Sequence, residues 1–368
     1  MAVMHLHLLM HLRRLVLLWL LLGHALPAFA CAICAPADGQ NTLLYQMYAA
    51  DAVVLATPQL PGTGYRVVAQ VKGSPPPEPI AMVQWTVAAP ATGALAPAVL
   101  LYSAAGHSWR AVGTLDPARA AWLSQRVRSF RPVGIAPEPD WPRRLAAFVA
   151  ELEDPEPLLA RVAYEEVSVA PYGAMRSMQP RLDRARIRRW LDDPGLTARR
   201  PLYLLLAGLA GGADAAQDLR MRIDGARREG SAASLSAALA AYVEVEGAAG
   251  VTWIEQEFFV RPGRDEFQVQ AAVLALAVHG GDGTRVGRDR VVAAFTRLAS
   301  GNPAMAGFAA ADLAGWGHWE LGPVYAQILR SGQPLVFASR YAMVFYLLRS
   351  PRPDAREAIE ALRAAKAL

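Results

Sequence analysis

Five helix breakers recur at nearly even intervals through the C-terminal part of this chain. Gly212, Gly247, Gly281, Gly317 and Pro351 are separated by 35, 34, 36 and 34 residues. Each breaker follows an apolar segment and precedes a more charged one. A repeat of about 20–50 residues is typical of helical hairpins that stack side by side. The spacing therefore predicts such an array. An irregular helical bundle is the alternative, because two average helices with their turns come to a similar length.

The segments between the breakers predict two kinds of helix. The first helix of each unit is apolar nearly all round, as expected of a helix between neighbours, and the second has a one-sided apolar stripe. The first helices are predicted at 202–209, 235–245, 267–278, 305–313 and 336–348, and the second at 215–223, 251–259, 288–298, 321–329 and 355–362. We interpret 155–191 as one more, degenerate unit.

Residues 31–130 differ in texture and are rich in β-branched residues, proline and glycine. Alternating apolar residues predict short strands, which favour a small barrel or sandwich. The predicted strands are 51–56, 65–71, 80–87, 98–102 and 109–113. A proline-containing linker is predicted at 131–141, before an α-helical repeat domain at 142–368. The predicted fold class is therefore mainly α, an α-solenoid-like array preceded by a small β-rich domain.

Residues 1–30 have the pattern of an export signal. Arg13 and Arg14 end a basic segment, an apolar run follows, and Ala28 and Ala30 supply the small residues that signal peptidase requires. The apolar run is interrupted and shorter than the roughly 20 residues of a membrane span. We therefore predict cleavage after Ala30 and export to the periplasm or cell envelope, with an uncleaved anchor as the alternative.

The only two cysteines, Cys31 and Cys34, follow this signal directly. An oxidising compartment permits a disulfide between them, and we favour a local bridge that pins the N-terminus. Three alternatives stay open: thiol-redox exchange, metal capture by the two thiolates, and lipidation of Cys31 as in a membrane-anchored lipoprotein. Haem attachment is excluded because Ala35 stands where that motif needs histidine.

Two resemblances add to this interpretation. The C-terminal region resembles HEAT-type helical-repeat domains in its spacing and apolar pattern. The N-terminal region resembles netrin/metalloproteinase-inhibitor-type modules in the segments 31–34, 50–54 and 71–73, although its cysteines are spaced Cys-x-x-Cys and the distal cysteines are absent. This second resemblance implies a protease-inhibitor-like module. The same start followed by a helical array also resembles exported bacterial proteins of an uncharacterised type, which implies no chemistry.

The sequence spacing supports no catalytic, metal or cofactor site. The histidines of the mature chain, His107, His279 and His318, have no second ligand at metal-binding spacing. The glycine-rich stretch 280–287 lacks the Lys-Ser/Thr of a phosphate loop and follows a helix, so we interpret it as a turn inside one hairpin. The adjacent acids Glu165–Glu166 do not face each other on a helix.

The net charge of +5 comes almost entirely from arginine, interspersed with acids, and does not indicate nucleic-acid binding. One basic stretch surrounds Trp190. We interpret it as a solvated helix face, and otherwise as a contact for anionic lipid or acidic protein. Its members are Arg184, Arg186, Arg188 and Arg189.

Together these patterns predict an exported, non-enzymatic binding or scaffold protein of the cell envelope, with protein partners and no cofactor. The second helices would line one face of the array, since extended arrays bind extended surfaces. The candidate contacts there are Arg220, Glu255, Arg288 and Glu320. The alternatives are a periplasmic thiol-redox protein that uses Cys31 and Cys34, and the protease-inhibitor-like module.

Overall fold

The structure of the chain is a computed structural model. It describes Ile33 and residues 41–59, 64–87, 96–133, 135, 137 and 139–365. Within these residues the protein is mainly α-helical, with sixteen α-helices and a five-stranded mixed sheet towards the N-terminus. The predicted fold class is confirmed. None of the helices in these ranges is long and apolar enough to cross a bilayer.

The sheet follows a short helix. Helix α1 is Leu43–Ala49, and the strands are β1 Ala52–Pro58, β2 Tyr65–Lys72, β3 Gln84–Trp85, β4 Ala98–Ser103 and β5 Ser108–Thr114. Their order in the sheet is β2-β1-β4-β5-β3, and neighbours are antiparallel except that β3 runs parallel to β5. Each of the five predicted strand segments overlaps one of these strands.

The segment that carries β3 contacts both edges of the sheet. Ile80 forms a β-bridge with Tyr65 of β2, and Gln84 pairs with Arg110 of β5. Because one short segment reaches both edges, the sheet curls towards a small barrel. The apolar cluster inside it includes Val54, Leu100 and Trp109.

The opposite face of the sheet packs against helices. Alternate strand residues such as Val53 and Val112 enter a core that continues from the sheet into the helices. Lys72, at the end of β2, donates from Nζ to the carbonyl oxygen of Ala50 at 2.6 Å and so helps to cap the C-terminus of α1. Sheet and helices therefore share one core, while the domain boundary at 131–141 stays a prediction.

Fifteen helices follow the sheet in the described part of the chain. They are α2 Ala120–Ser129, α3 Trp141–Phe148, α4 Pro157–Ser168, α5 Tyr172–Met175, α6 Arg184–Asp192, α7 Arg200–Ala210, α8 Ala215–Glu229, α9 Ala232–Glu246, α10 Ala248–Ile254, α11 Glu266–Ala277, α12 Arg288–Gly301, α13 Ala310–Gly315, α14 Gly322–Arg330, α15 Phe337–Arg349 and α16 Pro353–Ala364. A π-helical turn, Glu255–Val260, extends α10, and a 3-10 turn, Pro303–Ala309, leads into α13.

From α7 onwards the helices form five successive pairs. The first helices α7, α9, α11, α13 and α15 pack on one another in chain order, with the turn Pro303–Ala309 completing the contacts of α13. All five breakers lie in the turn between the two helices of a pair. Gly247 and Gly317 have φ values of +62° and +71°, which glycine adopts at little cost. The predicted array is therefore present, and its more exposed side is formed by the second helices.

Candidate functional site

The predicted cysteine site lies outside the described residues, because Cys31 and Cys34 are not among them. Ile33, which stands between the two cysteines, is described. Its side chain is 6% exposed and belongs to the main core. The disulfide, redox, metal and lipid interpretations of this pair therefore stay predictions, to be tested by the N-terminal chemistry of the exported protein.

A buried ion pair anchors the chain just downstream of the cysteines. Arg144 of α3 and Glu166 of α4 are 2% and 1% exposed, and Arg144 Nε donates to Glu166 Oε2 at 2.8 Å. The hydroxyl of Thr42, at the N-cap of α1, donates to the other carboxylate oxygen at 2.9 Å. Burial raises the pKa of Glu166, and Arg144 and Thr42 oppose this rise. The pair therefore joins α1 to α3 and α4.

The neighbouring acid has a different partner. Glu165 Oε2 accepts from the backbone N–H of Leu43 at 2.5 Å, and its Oε1 accepts from Arg161 at 2.7 Å. A carboxylate at the N-terminus of a helix accepts hydrogen bonds from free N–H groups and interacts favourably with the positive end of the helix dipole. Glu165 and Glu166 thus both hold the start of α1, which is a structural role.

The three histidines lie in separate places. His107 occupies a tight turn with φ +43°, and His318 Nδ1 lies 3.0 Å from Glu320. His279 is fully buried, with Nε2 2.9 Å from the carbonyl oxygen of Ala240. Burial lowers the pKa of His279 to about 4, so its ring is neutral at physiological pH. No three His, Cys, Asp or Glu side chains of the described ranges are placed to hold a metal ion.

The glycine-rich stretch 280–287 is a turn between α11 and α12, and protein atoms fill the space around it. Arg176 donates to the carbonyl oxygen of Gly283 at 3.0 Å, and Arg285 donates to that of Glu244 at 2.7 Å. Gly173 stands so close to Asp282 that a Cβ there would collide with its backbone. The interpretation as a hairpin turn agrees with this packing.

Of the four candidate contacts, Glu255 was predicted wrongly. Glu255 is only 8% exposed, because it lies at the end of α10 and faces α12. Arg290 of α12 donates two hydrogen bonds to its carboxylate, at 2.7 and 2.9 Å. This ion pair links two consecutive second helices. It contributes to the packing of the array and offers no surface to a partner.

The other three candidates are accessible. Arg220 stacks over Trp253 with 4.8 Å between the guanidinium and the ring centroid, and it donates to the hydroxyl of Tyr242 at 3.0 Å. The side chains of Arg288 and Glu320 are 42% and 62% exposed. They lie on or beside successive pairs of the array.

The basic stretch around Trp190 packs α6 against the start of α8. Arg184 and Arg188 both pair with Asp214, and Arg186 donates to the carbonyl oxygen of Leu152 at 2.8 Å. The guanidinium of Arg186 also lies 4.9 Å from the Trp190 ring centroid. These contacts give the stretch a structural role alongside its solvated face, which Arg189 extends.

Two open grooves flank helix α8, the second helix of the first pair. The first groove has a volume of about 310 Å³ and lies towards α6 and α7, where Leu191, Arg200 and Leu204 line it. The second has a volume of about 370 Å³ and is lined by Asp224, Arg227, Arg228 and Gln268. Along the helix between them, Met221 is 59% exposed, and a Cβ at Gly225 would meet no neighbouring heavy atom within 4 Å.

Two residues that line the second groove each have a polar atom without a hydrogen-bond partner. Arg227 Nε and Gln268 Oε1 are buried from water, and neither has a hydrogen bond within the described residues. One atom is a donor and the other an acceptor. Native proteins leave few buried polar atoms unpaired, so such a pair calls for an explanation. The α8 surface, meaning helix α8 with its two grooves, is therefore the candidate site.

Sequence reasoning pointed to the second helices but missed Arg227, Gln268 and Gly225. A signal was present for Gly225, since an isolated glycine inside a helix costs about 1 kcal/mol relative to alanine and suggests a special environment. Gln268 belongs to a first helix, α11, and only the packing of the pairs brings it to α8.

Comparisons with known protein families, with curated proteins and with solved structures give no match to this chain. Its function is therefore inferred from its own geometry.

Proposed function

We propose that this chain is an exported, non-enzymatic binding or scaffold protein of the cell envelope, and that it holds a protein partner on the α8 surface. The observation that carries the proposal is the second groove, because two of its lining residues, Arg227 and Gln268, each have a buried polar atom without a hydrogen-bond partner in the described residues. A peptide group supplies a carbonyl acceptor and an N–H donor, which complement these two atoms once the side chains that cover them move aside. An extended polypeptide is the ligand that fits this pattern.

The composition of the α8 surface supports the same conclusion. Arginine and methionine are enriched in protein interfaces, and here Arg228 and Met221 are exposed on one helix. Asp224 beside them gives the surface both signs of charge, which favours a specific partner over a uniformly charged polymer. A mixed surface of this kind is typical of protein recognition.

Three buried ionisable groups support a binding role over catalysis. Glu166 is held by Arg144, and Glu244 accepts from Arg176 at 3.2 Å. The neutral His279 is held against Ala240. These groups are engaged in contacts between helices, whereas a general acid or base must reach a substrate.

Site-specific cross-linking in the native host tests this proposal. A photoreactive amino acid at position 225, on α8, is expected to give one discrete protein adduct. The matched control is position 82, whose methionine is 85% exposed near the sheet. Adducts at position 225 that are absent at position 82, and reduced by Arg228→Glu, support the α8 surface. The same adducts at both positions, or none at position 225, would contradict it.

A further inference from the structure

Helix α15 has a large apolar face that no other part of the described chain covers. Phe337, Tyr341, Phe345 and Leu348 are 74%, 50%, 59% and 52% exposed. The rings of Phe337 and Tyr341 lie in contact, with 4.5 Å between their centroids. Four of the large exposed apolar side chains of the structure thus lie on one helix of thirteen residues.

These four residues form one stripe. At 100° per residue they fall within an arc of about 80°. The buried residues Met343, Tyr346 and Leu347 lie on the opposite side of the same helix. A helix that is apolar on both sides is normally covered on both sides. The outer stripe of α15 therefore has the composition of a contact surface.

The charges of α15 all have one sign. Its only ionisable side chains besides tyrosine are Arg340 and Arg349, and it carries no carboxylate. Both arginines are exposed. On the helical projection they fall on opposite borders of the stripe, so the aromatic residues lie between two cationic edges. This arrangement complements a surface that is apolar beneath an anionic layer.

We propose that the outer stripe of α15 docks on the surface of an anionic lipid bilayer. Aromatic and leucine side chains of an interfacial helix enter the boundary between headgroups and acyl chains, while arginines at its borders reach the phosphates. Anionic lipid adds to this attraction for each nearby arginine. The stripe is a ridge along one helix, which suits a bilayer surface.

A second copy of the chain fits the stripe less well. Its four side chains expose about 450 Å² at ordinary side-chain sizes, whereas a stable interface buries about 800 Å² on each partner. A two-fold antiparallel pairing of the stripes would also place the Arg340 border of one copy along the Arg340 border of the other. These like-charged borders would repel each other.

This inference is independent of the α8 surface, because the two sites share no residue. Together they describe a protein that holds a partner with one part of the array and a membrane with another. Each site can therefore fail its test without affecting the other.

Vesicle flotation tests the inference with the exported protein carrying Cys31→Ser, so that acylation cannot contribute. The protein with an unaltered α15 is expected to float with vesicles of phosphatidylcholine that contain about one third phosphatidylglycerol. It should float much less with vesicles of phosphatidylcholine alone. The combined substitution Phe337→Ser, Tyr341→Ser and Phe345→Ser should reduce partitioning at least about tenfold. The control Met82→Ser should leave it unchanged.

The charge arm uses Arg340→Glu with Arg349→Glu, which should lower binding to the anionic vesicles and remove its salt dependence. A thermal melt of each variant checks the fold, which exposed positions should not disturb. Absence of wild-type flotation, or equal flotation of the serine variant, overturns the inference. So does a wild-type dimer in sedimentation that the serine variant converts to monomer, because a second copy would then occupy the stripe.

Discussion

Gly208 of α7 lies so close to α9 that a Cβ on it would stand 2.7 Å from the Cα of Ala241. The first helices of consecutive pairs therefore meet backbone to backbone at this crossing, and only a small residue fits. The same crossing explains why these helices can be apolar nearly all round, since each is covered by the helix before it and the helix after it.

Replacing Gly208 with alanine should destabilise the fold. The added methyl group has no space and must push two helices apart, which typically costs about 1–3 kcal/mol. Gly225→Ala is the matched control, because the same change inside α8 adds a methyl group in open space. It should stabilise the protein by about 0.5–1 kcal/mol. Urea unfolding of the two variants measures both effects, and a similar change in each would contradict the packing described.

Glu166→Gln should be strongly destabilising, because it leaves the buried guanidinium of Arg144 without a counter-charge. Breaking a buried ion pair from one side typically costs about 3–5 kcal/mol. Glu165→Gln is the control at the adjacent position, where the carboxylate forms a partly exposed ion pair with Arg161. Loss of this ion pair should cost less than about 1 kcal/mol, not counting any change in the hydrogen bond from Leu43 of α1. Denaturant unfolding separates the two cases. Equal losses of stability for the two substitutions would contradict the prediction that the buried pair of Glu166 and Arg144 is the stronger contact.

His279 should make the protein less stable in mild acid. Its pKa is about 4 in the folded state and 6.5 for an ordinary, solvated histidine, so the unfolded chain binds a proton over this interval that the folded chain does not. Stability is therefore full above pH 6.5 and falls as the pH drops towards 4, by about 3 kcal/mol in all. His279→Gln keeps an N–H for Ala240 but does not titrate. The stability difference between wild type and this variant should shrink by that amount between about pH 7.5 and pH 4, and a constant difference would refute the assignment.

Mass spectrometry of the exported protein tests the N-terminal predictions together. Cleavage after Ala30 predicts a mature chain that begins at Cys31. A local disulfide predicts a mass two hydrogens lower than the dithiol and no reaction with thiol reagents before reduction. If Cys31 is acylated, the measured mass would instead be that of a lipid-modified chain. A measurable exchange potential near those of thiol-redox proteins would favour the redox alternative.

Much of the fold followed from periodicity. The predicted helix 235–245 lies within α9, and the predicted strand 65–71 lies within β2. Apolar spacing, glycine and proline act locally, so they can be interpreted from one sequence. The period between breakers also predicted the order of packing, because each pair needs a neighbour to cover its apolar faces.

The site depended on contacts that no local pattern contains. Glu255 was predicted as a surface contact, yet it is buried against Arg290 from a helix 35 residues away. Arg144 and Glu166 each looked like an ordinary charge on an amphipathic helix until packing placed them together. The second groove of the α8 surface likewise needs Gln268 from α11. Pairings of this kind depend on the angles at which helices cross, which sequence spacing does not fix.

Binding at the α8 surface is tested by the affinity of the protein partner captured at position 225, measured by titration calorimetry with the purified proteins. Arg228→Glu, in the second groove, should weaken binding at least about tenfold, which corresponds to about 1.4 kcal/mol. Arg356→Glu is the control, because it reverses the charge of another exposed arginine, on α16. Equal Kd values for wild type and Arg228→Glu would show that the partner does not bind the α8 surface.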